Sequence, residues 1–357
     1  MTHRMRLGGL ASSVALVVVA CSGGSSSPAS STPSSTTDSV TSLPVETTVA
    51  GTDGPTTTAP AGPVYPLTGL PVVDPAVAAR PALVVKIDNN VLARPQSGLD
   101  EADIVFEEIV EVQTRFVAVF QSQGAEPVGP IRSGRTQDIA LLGSFNKPLF
   151  AWSGGNANVT AAINNSDLFS LNNVNPRAQK LGGFYRSPDR KGPHNLYATT
   201  SALWSLAPAG AGPPPAQFSY LSPGDTPQGD RSAGTQGDML GLAIAWTYDA
   251  PTHRYARTSA GVVHADALGG AVTTDNVIVM SVLYRPSPAD ARSPEAQTIG
   301  TGDVMVFTRG LVVQGTWTRK NRLSPFSLSD ADGTVIKLSP GRTWVELASP
   351  GKFTPLS

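Results

Sequence analysis

The chain has 357 residues, a formal net charge of −1, 35 glycines, 31 prolines and only 15% charged side chains. No aromatic residue precedes Tyr65, and Arg4 and Arg6 are the only Lys or Arg before it, so residues 1–65 are excluded from a packed core. The 292 residues that follow suffice for one large or two ordinary domains, and their 24 basic and 24 acidic side chains exclude a nucleic-acid binder, which needs a cation excess.

Residues 1–20 have the layout of a bacterial export signal. Arg4 and Arg6 precede an apolar run, Leu7 to Ala20, that is shorter than the ~20 residues of a membrane span. Val18-Val19-Ala20-Cys21 has the form of a lipobox, in which the Cys21 thiol carries the lipid. Cys21 is the only cysteine, which excludes a disulfide and a thiol nucleophile in the exported protein. Residues 21–65 then read as a tether. Twenty of the 44 residues after Cys21 are Ser or Thr, and ordering them would cost backbone entropy without burial. These features place the protein at the cell membrane, lipid-anchored on the extracytoplasmic face.

Ala82 to Ile87 reads as a buried strand, and Asp103 to Glu111 and Thr114 to Gln121 as a hairpin turning at Val112-Gln113. A helix is expected from Ser133 as N-cap, with Ile139, Leu142 and Phe145 on one side. Pro148 to Trp152 reads as a strand and Val159 to Ile163 as a helix, and Asn195 is expected to cap a helix reaching Leu206. Alternation of strands and helices makes residues 66–206 an α/β domain. The Pro- and Gly-rich stretch 207–238 reads as a linker. Residues 239–357 hold eight further strand patterns, from Leu242–Tyr248 to Arg342–Leu347, so a β-rich sandwich or barrel-like domain is expected.

The segments Lys86-Ile87-Asp88-Asn89, Arg94-Pro95-Gln96, Thr114-Arg115-Phe116, Gly129-Pro130-Ile131-Arg132-Ser133 and Pro193-His194-Asn195 resemble the YerB-like bacterial lipoproteins, a family catalogued as a domain of unknown function. Trp317 and Gly341-Arg342-Thr343-Trp344 extend the resemblance into the C-terminal half. It implies an N-terminal α/β module and a C-terminal β-rich module on a lipid anchor, and it brings no established reaction.

The first candidate site is Gly129 to Arg135, where a loop leads into the expected helix. A helix start offers unpaired N–H groups, and Arg132, Ser133 and Arg135 would complete a pocket for phosphate or carboxylate. The competing reading pairs Arg135 with Asp138 and Arg132 with another acid, to hold the fold. Glu108 shares a strand face with Ile104, Phe106 and Val110, so it needs a cation, with Arg115 or Arg132 expected, or else carries a raised pKa. Asp88 and Asn89 end the first strand, where ligands gather if neighbouring strands are parallel. Arg186, Arg190 and His194 lie in a polar loop and could supply cationic or proton-transfer groups; alternatively Asn195 caps a helix and His194 is its solvated neighbour.

Familiar enzyme signatures are missing. After the signal only His194, His253 and His264 remain, without metal-site spacing, so no metal and no cofactor is implied. Ser144-Phe145-Asn146-Lys147 matches Ser-x-x-Lys but lacks its companion motifs. The leading expectation is a binding module for an anionic wall component or a partner protein. The rival is a metal-free hydrolase or lyase on a wall glycan or phosphodiester, with Glu108 or Asp88 as acid or base and Arg132 and Arg135 as anion clamp.

Overall fold

A computed structural model describes residues 62–357 except 176–178 and 180–182. The expected signal peptide, Cys21 and the tether up to residue 61 lie outside the described residues; the tether's expected end at 65 is too late, since Tyr65 is buried and its N–H donates to the Leu70 carbonyl at 2.8 Å.

Three strands form the centre: β1 (Leu83–Asp88), β2 (Ile104–Val110) and β3 (Gln113–Phe120). Every residue in them except Gln113 is buried, because both faces of the sheet are covered. The β2–β3 turn falls at Glu111-Val112, one residue earlier than expected, with Glu111 at φ +48° and Gln113 paired to Val110. Beyond β1 lie β4 (Leu149–Trp152) and β5 (Phe169–Asn172), both parallel to their neighbours.

Short helices accompany these strands, among them α1 (Pro75–Ala79), α2 (Gln137–Leu141), α3 (Ala157–Asn164) and α4 (Thr200–Trp204). The α/β character expected for residues 66–206 is thus confined mainly to the β4–α3–β5 unit, and strands dominate throughout. Ser133 does not cap a helix. Residues 130–132 are held extended by hydrogen bonds to β1, so α2 starts only at Gln137, with Thr136 before it. Nor does Asn195 start a helix, since Leu196–Ala198 pairs instead with Phe184–Arg186.

The C-terminal half contributes β6 (Gly234–Met239), β7 (Leu242–Asp249), β8 (Arg254–Ser259), β9 (Asn276–Ser281), β10 (Gly300–Thr308), β11 (Leu311–Arg319), β12 (Ser327–Asp330), β13 (Thr343–Ala348) and β14 (Phe353–Leu356). The first large sheet runs β12-β11-β10-β9-β13-β2-β3-β1-β4-β5, with Asp230–Arg231 added alongside β11 to make eleven strands. β13 therefore lies parallel to β2, with Ile104 to Glu107 opposite Thr343 to Glu346. A second, six-stranded sheet carries β8, β7, β6 and β14 in that order. One core cluster contains residues of both: Trp246, Tyr255 and Phe353 with Phe116, Trp344 and Val277. Trp344 packs edge-on against Phe116 and tilted against Trp246, each with ring centroids 5.1 Å apart.

The expected sandwich is therefore present, but one of its layers is shared with the N-terminal half. Residues 207–238, read as a linker, are drawn into the fold: Phe218 is buried, Ser219–Tyr220 pairs with Lys337–Leu338, and Asp230–Arg231 joins β11. A shared sheet predicts one cooperative unfolding transition for residues 62–357. Trp344→Ala should shift that whole transition by ~3–5 kcal/mol. Denaturant unfolding followed by probes in each half checks this, and two separate midpoints would contradict it.

Candidate functional site

β4 pairs with β1 only over Leu83–Val85. Past that point residues 130–132 take its place: the Asp88 N–H donates to the Pro130 carbonyl and the Arg132 N–H to the Lys86 carbonyl, both at 2.9 Å. The Ser153 N–H, just after β4, donates to the Arg132 carbonyl at 2.9 Å. Arg132 is thus wedged between the carboxyl ends of two parallel strands, where sheets of this kind open a crevice. The approach requires Gly129. It sits at φ +147°, and a Cβ there would lie 2.9 Å from the Leu196 carbonyl oxygen and 2.8 Å from the Tyr197 ring.

Asp88 ends β1 and is fully buried. Its Oδ1 accepts from the Asn90 N–H at 3.0 Å. Its Oδ2 lies 2.7 Å from His194 Nδ1 and 3.0 Å from Arg132 Nε, the latter an ion pair without hydrogen-bond geometry. One carboxylate therefore aims an arginine and a histidine whose side chains remain 24% and 13% exposed. Behind them Arg115 is buried, with Nη1 donating to the Ser133 carbonyl at 3.1 Å. Burial first, then Arg135 and Arg132, bring the Arg115 guanidinium down to about 10. Ser133 is half-buried, and its hydroxyl would lie 3.0 Å from a Cβ on Gly154, so it faces the glycine loop after β4.

The other expected residues go elsewhere. Arg135 serves the fold: its backbone N–H donates to Asp138 Oδ2, its Nη1 to the Gly134 carbonyl and its Nη2 to Glu111 Oε1, all at 2.7 Å. The start of the five-residue α2 is thereby occupied by the chain's own Asp138, and it offers no anion cradle. Glu108 pairs with neither Arg115 nor Arg132. Lys86 Nζ bonds Glu108 Oε1 and, at 2.7 Å, Asp138 Oδ1, and all three side chains are fully buried. One lysine stands between two carboxylates. Burial first, then Asp138, raise Glu108 to about 7 despite Lys86.

Asn89 turns to the opposite face of the sheet, where its Nδ2 donates to Thr114 Oγ1 at 2.7 Å and Glu107 Oε1 at 3.1 Å. Arg257 Nη2 donates to Glu107 Oε2 at 2.5 Å. His264 Nδ1 lies 2.7 Å from Arg257 Nη1, and its Nε2 lies 2.8 Å from Gln96 Oε1. Burial, then Arg257 and Arg94, bring His264 down to about 2, so the ring is neutral, accepting at Nδ1 and donating at Nε2. Glu346 stands opposite Glu107 on β13 and is pushed well above the carboxylate range by burial and then by Glu107.

Arg186 is exposed and donates to Asn195 Oδ1 at 2.7 Å. Arg190 donates to the Ala93 carbonyl at 2.9 Å and the Pro95 carbonyl at 2.7 Å, which pins the loop carrying His194. Ser144 is buried and donates to Gln217 Oε1 at 2.8 Å, while Lys147 is exposed. The crevice thus gathers Asp88, Arg115, Arg132, Ser133 and His194, and leaves Asn89, Glu108, Arg135, Arg186 and Arg190 in supporting roles. Two cavities of about 580 Å³ each lie elsewhere, around Arg309, so the crevice is distinguished by its chemistry and not by its volume. Sequence reasoning missed Lys86, Arg257, His264 and Glu346, and it gave Asp138 to Arg135 alone where Lys86 also holds it. Lys86 was findable, since a lysine inside an apolar strand demands carboxylates.

The chain matches the N-terminal domain of a protein of unknown function, DUF3048, over residues 67–211, and the C-terminal domain of the same family over 240–345. It is 29% identical over 293 residues to "Putative lipoprotein YerB" of Bacillus subtilis (strain 168), covering 79% of this chain and 85% of that one. The crystal structure of the YerB protein from Bacillus subtilis is similar with a TM-score of 0.69 and 26% identity, over 80% of this chain and 96% of that one.

The Lys86–Glu108–Asp138 group makes stability depend on pH. With Glu108 at about 7 when folded and an ordinary value of 4.5, the folded state binds more protons between those limits. Stability should therefore fall as pH rises from about 4.5 through 7, with the raised Asp103 and Glu346 adding to the decline. Glu108→Gln should make that decline shallower. Urea midpoints of both proteins at pH 5 and 7.5 test it, and an equally steep decline in the variant would refute it.

Proposed function

For a chain that belongs to the DUF3048 family, with YerB as a relative and no activity attached to the family's description, we propose an envelope lipoprotein. It is anchored through a lipid on Cys21 at the extracytoplasmic face of the membrane, and its crevice binds an anionic group of a wall component or of a partner protein. The observation that carries this reading is the buried Asp88, which holds Arg132 and His194 side by side at the surface. A carboxylate or phosphate would accept charge-assisted hydrogen bonds from both. Arg115 and Arg132 together outweigh the single charge of Asp88, so an incoming anion completes the local balance.

A hydrolase or lyase is favoured by one feature, the 2.7 Å contact between Asp88 and His194. A buried carboxylate fixing an imidazole is how a general base is oriented. In that case His194 would move the proton. Glu108 is fully buried on Lys86, and Arg135 is committed to Glu111, so neither suits the part assigned to it above.

Thermal shifts of the full chain in detergent, with sulfate, phosphate and citrate, test the binding reading. Arg132→Gln should weaken the anion response about tenfold or more while lowering the unliganded melting temperature little. A large unliganded loss with an undiminished anion response would refute it.

The anchor is tested separately. Cys21→Ala should leave unprocessed, unlipidated precursor, seen as a larger band in cell fractions. Correctly sized mature protein kept on the membrane in that variant would contradict the lipid anchor.

A further inference from the structure

The two cavities of about 580 Å³ lie away from the crevice and are both lined by Pro227 and Arg309. They therefore adjoin at this pair of side chains. Two adjoining hollows suit a linear chain lying across both, as along a groove, better than a compact ligand.

Its charge comes from fixed positions. Arg309 and Gly310, at φ +48° and +73°, form the tip of the β10–β11 hairpin, and Arg309 Nε donates to Ser339 Oγ at 3.1 Å. Arg231 lines the same wall beside His253, whose Nδ1 lies 2.9 Å from the Tyr248 hydroxyl. Among the described residues, neither arginine has a carboxylate within 4.0 Å. Asp225, on the wall of the other cavity, is already paired with Lys337 at 2.8 Å. Among the side chains that line the two cavities, Arg231 and Arg309 leave a positive excess over Asp225. Tyr220, Tyr248 and the prolines add apolar surface between the charges.

We infer that this groove binds a linear polyanion, a polymer with carboxylate or phosphodiester groups on a sugar or polyol backbone. The guanidinium forks match either anion, and the tyrosine and proline faces match the C–H surfaces between successive charges. This site is independent of the crevice.

The test titrates the full chain in detergent with three labelled polymers of matched length: oligogalacturonate, poly(glycerol phosphate) and neutral dextran. Anisotropy should report binding of at least one polyanion, weakened by added salt, and none of dextran. The tighter of the two polyanions identifies the source of the charge. The double variant Arg231→Gln, Arg309→Gln should bind about a hundredfold more weakly at an unchanged melting temperature, about tenfold for each lost guanidinium contact. Lys147→Gln, which removes an exposed charge that lines neither cavity, should bind as the native protein does. Each comparison is repeated with Arg132→Gln in place, so that the crevice does not contribute to the signal. The inference is overturned if neither polyanion binds, if dextran binds equally, if the double variant binds normally, or if Lys147→Gln loses as much affinity.

Discussion

Charge buried on both faces of β1–β3 is the constraint from which the rest of this structure follows. Lys86, Asp88, Glu107, Glu108 and Arg115 sit on three adjacent strands, and each is at most 2% exposed. An unpaired charge in that setting is untenable, so every face of the sheet must deliver a partner. On one face Asp138 arrives from α2 and Arg132 and His194 from loop segments; on the other Arg257 arrives from the second sheet. Such pairs add little net stability, but breaking one whose side chains are both fully buried, as in Lys86–Glu108 or Glu107–Arg257, costs about 3–5 kcal/mol. Their effect is on register. A one-residue slip of β2 would turn Glu108 to the face of Arg257 and Glu107 to the face of Lys86, and would move every apolar neighbour to the wrong layer.

The same constraint grades the charges from core to surface. The Lys86–Glu108–Asp138 group and the Glu107–Arg257 pair have no exposed side chain, so they are structural. Asp88 differs because its partners come from the crevice side, at the point where β4 diverges, and they keep part of their surface open. A carboxylate held by two such groups is satisfied without exhausting their donors. Arg132 retains its terminal amino groups and His194 its second ring nitrogen, and those are the atoms available for recognition.

What was legible in the sequence follows from locality. Strand runs such as Leu83 to Ile87 and Leu311 to Arg319 announce themselves through branched apolar side chains, and their positions hold to within a residue or two. The helix expected at Ser133 fails because residues 130–132 are needed as a substitute neighbour for β1, a tertiary demand that no local pattern encodes. The partner expected for Glu108 fails for a similar reason. Arg115 lies directly opposite it in register, yet Lys86, on the strand beyond, reaches across to it, and Arg115 turns to the Ser133 carbonyl instead. The pairing of Asp88 with His194 spans 106 residues and that of Glu107 with Arg257 spans 150, so only the folded chain reveals them. Read as sequence, Asp88, Arg132 and His194 are three plausible residues in three separate motifs; the structure turns them into one site.

The crevice also depends on the C-terminal half. The Asp88 carbonyl accepts from Gln96 Nε2 at 2.9 Å, and the Gln96 carbonyl oxygen of the side chain accepts from His264 Nε2 at 2.8 Å. His264 in turn accepts from Arg257, which is held by Glu107 on β2. A continuous chain of buried hydrogen bonds therefore runs from the floor of the crevice, through the second sheet, and back to the strand two places away from β1. Because His264 is locked in its neutral form, each link has a fixed donor and acceptor, and none can reverse without leaving a buried group unpaired. The end of β1 is thus fixed by residues more than 160 positions away, which gives a physical reason for the N-terminal and C-terminal halves to occur together in one chain. An N-terminal half alone would keep Arg132 and His194 but lose the framework that holds Asp88 between them.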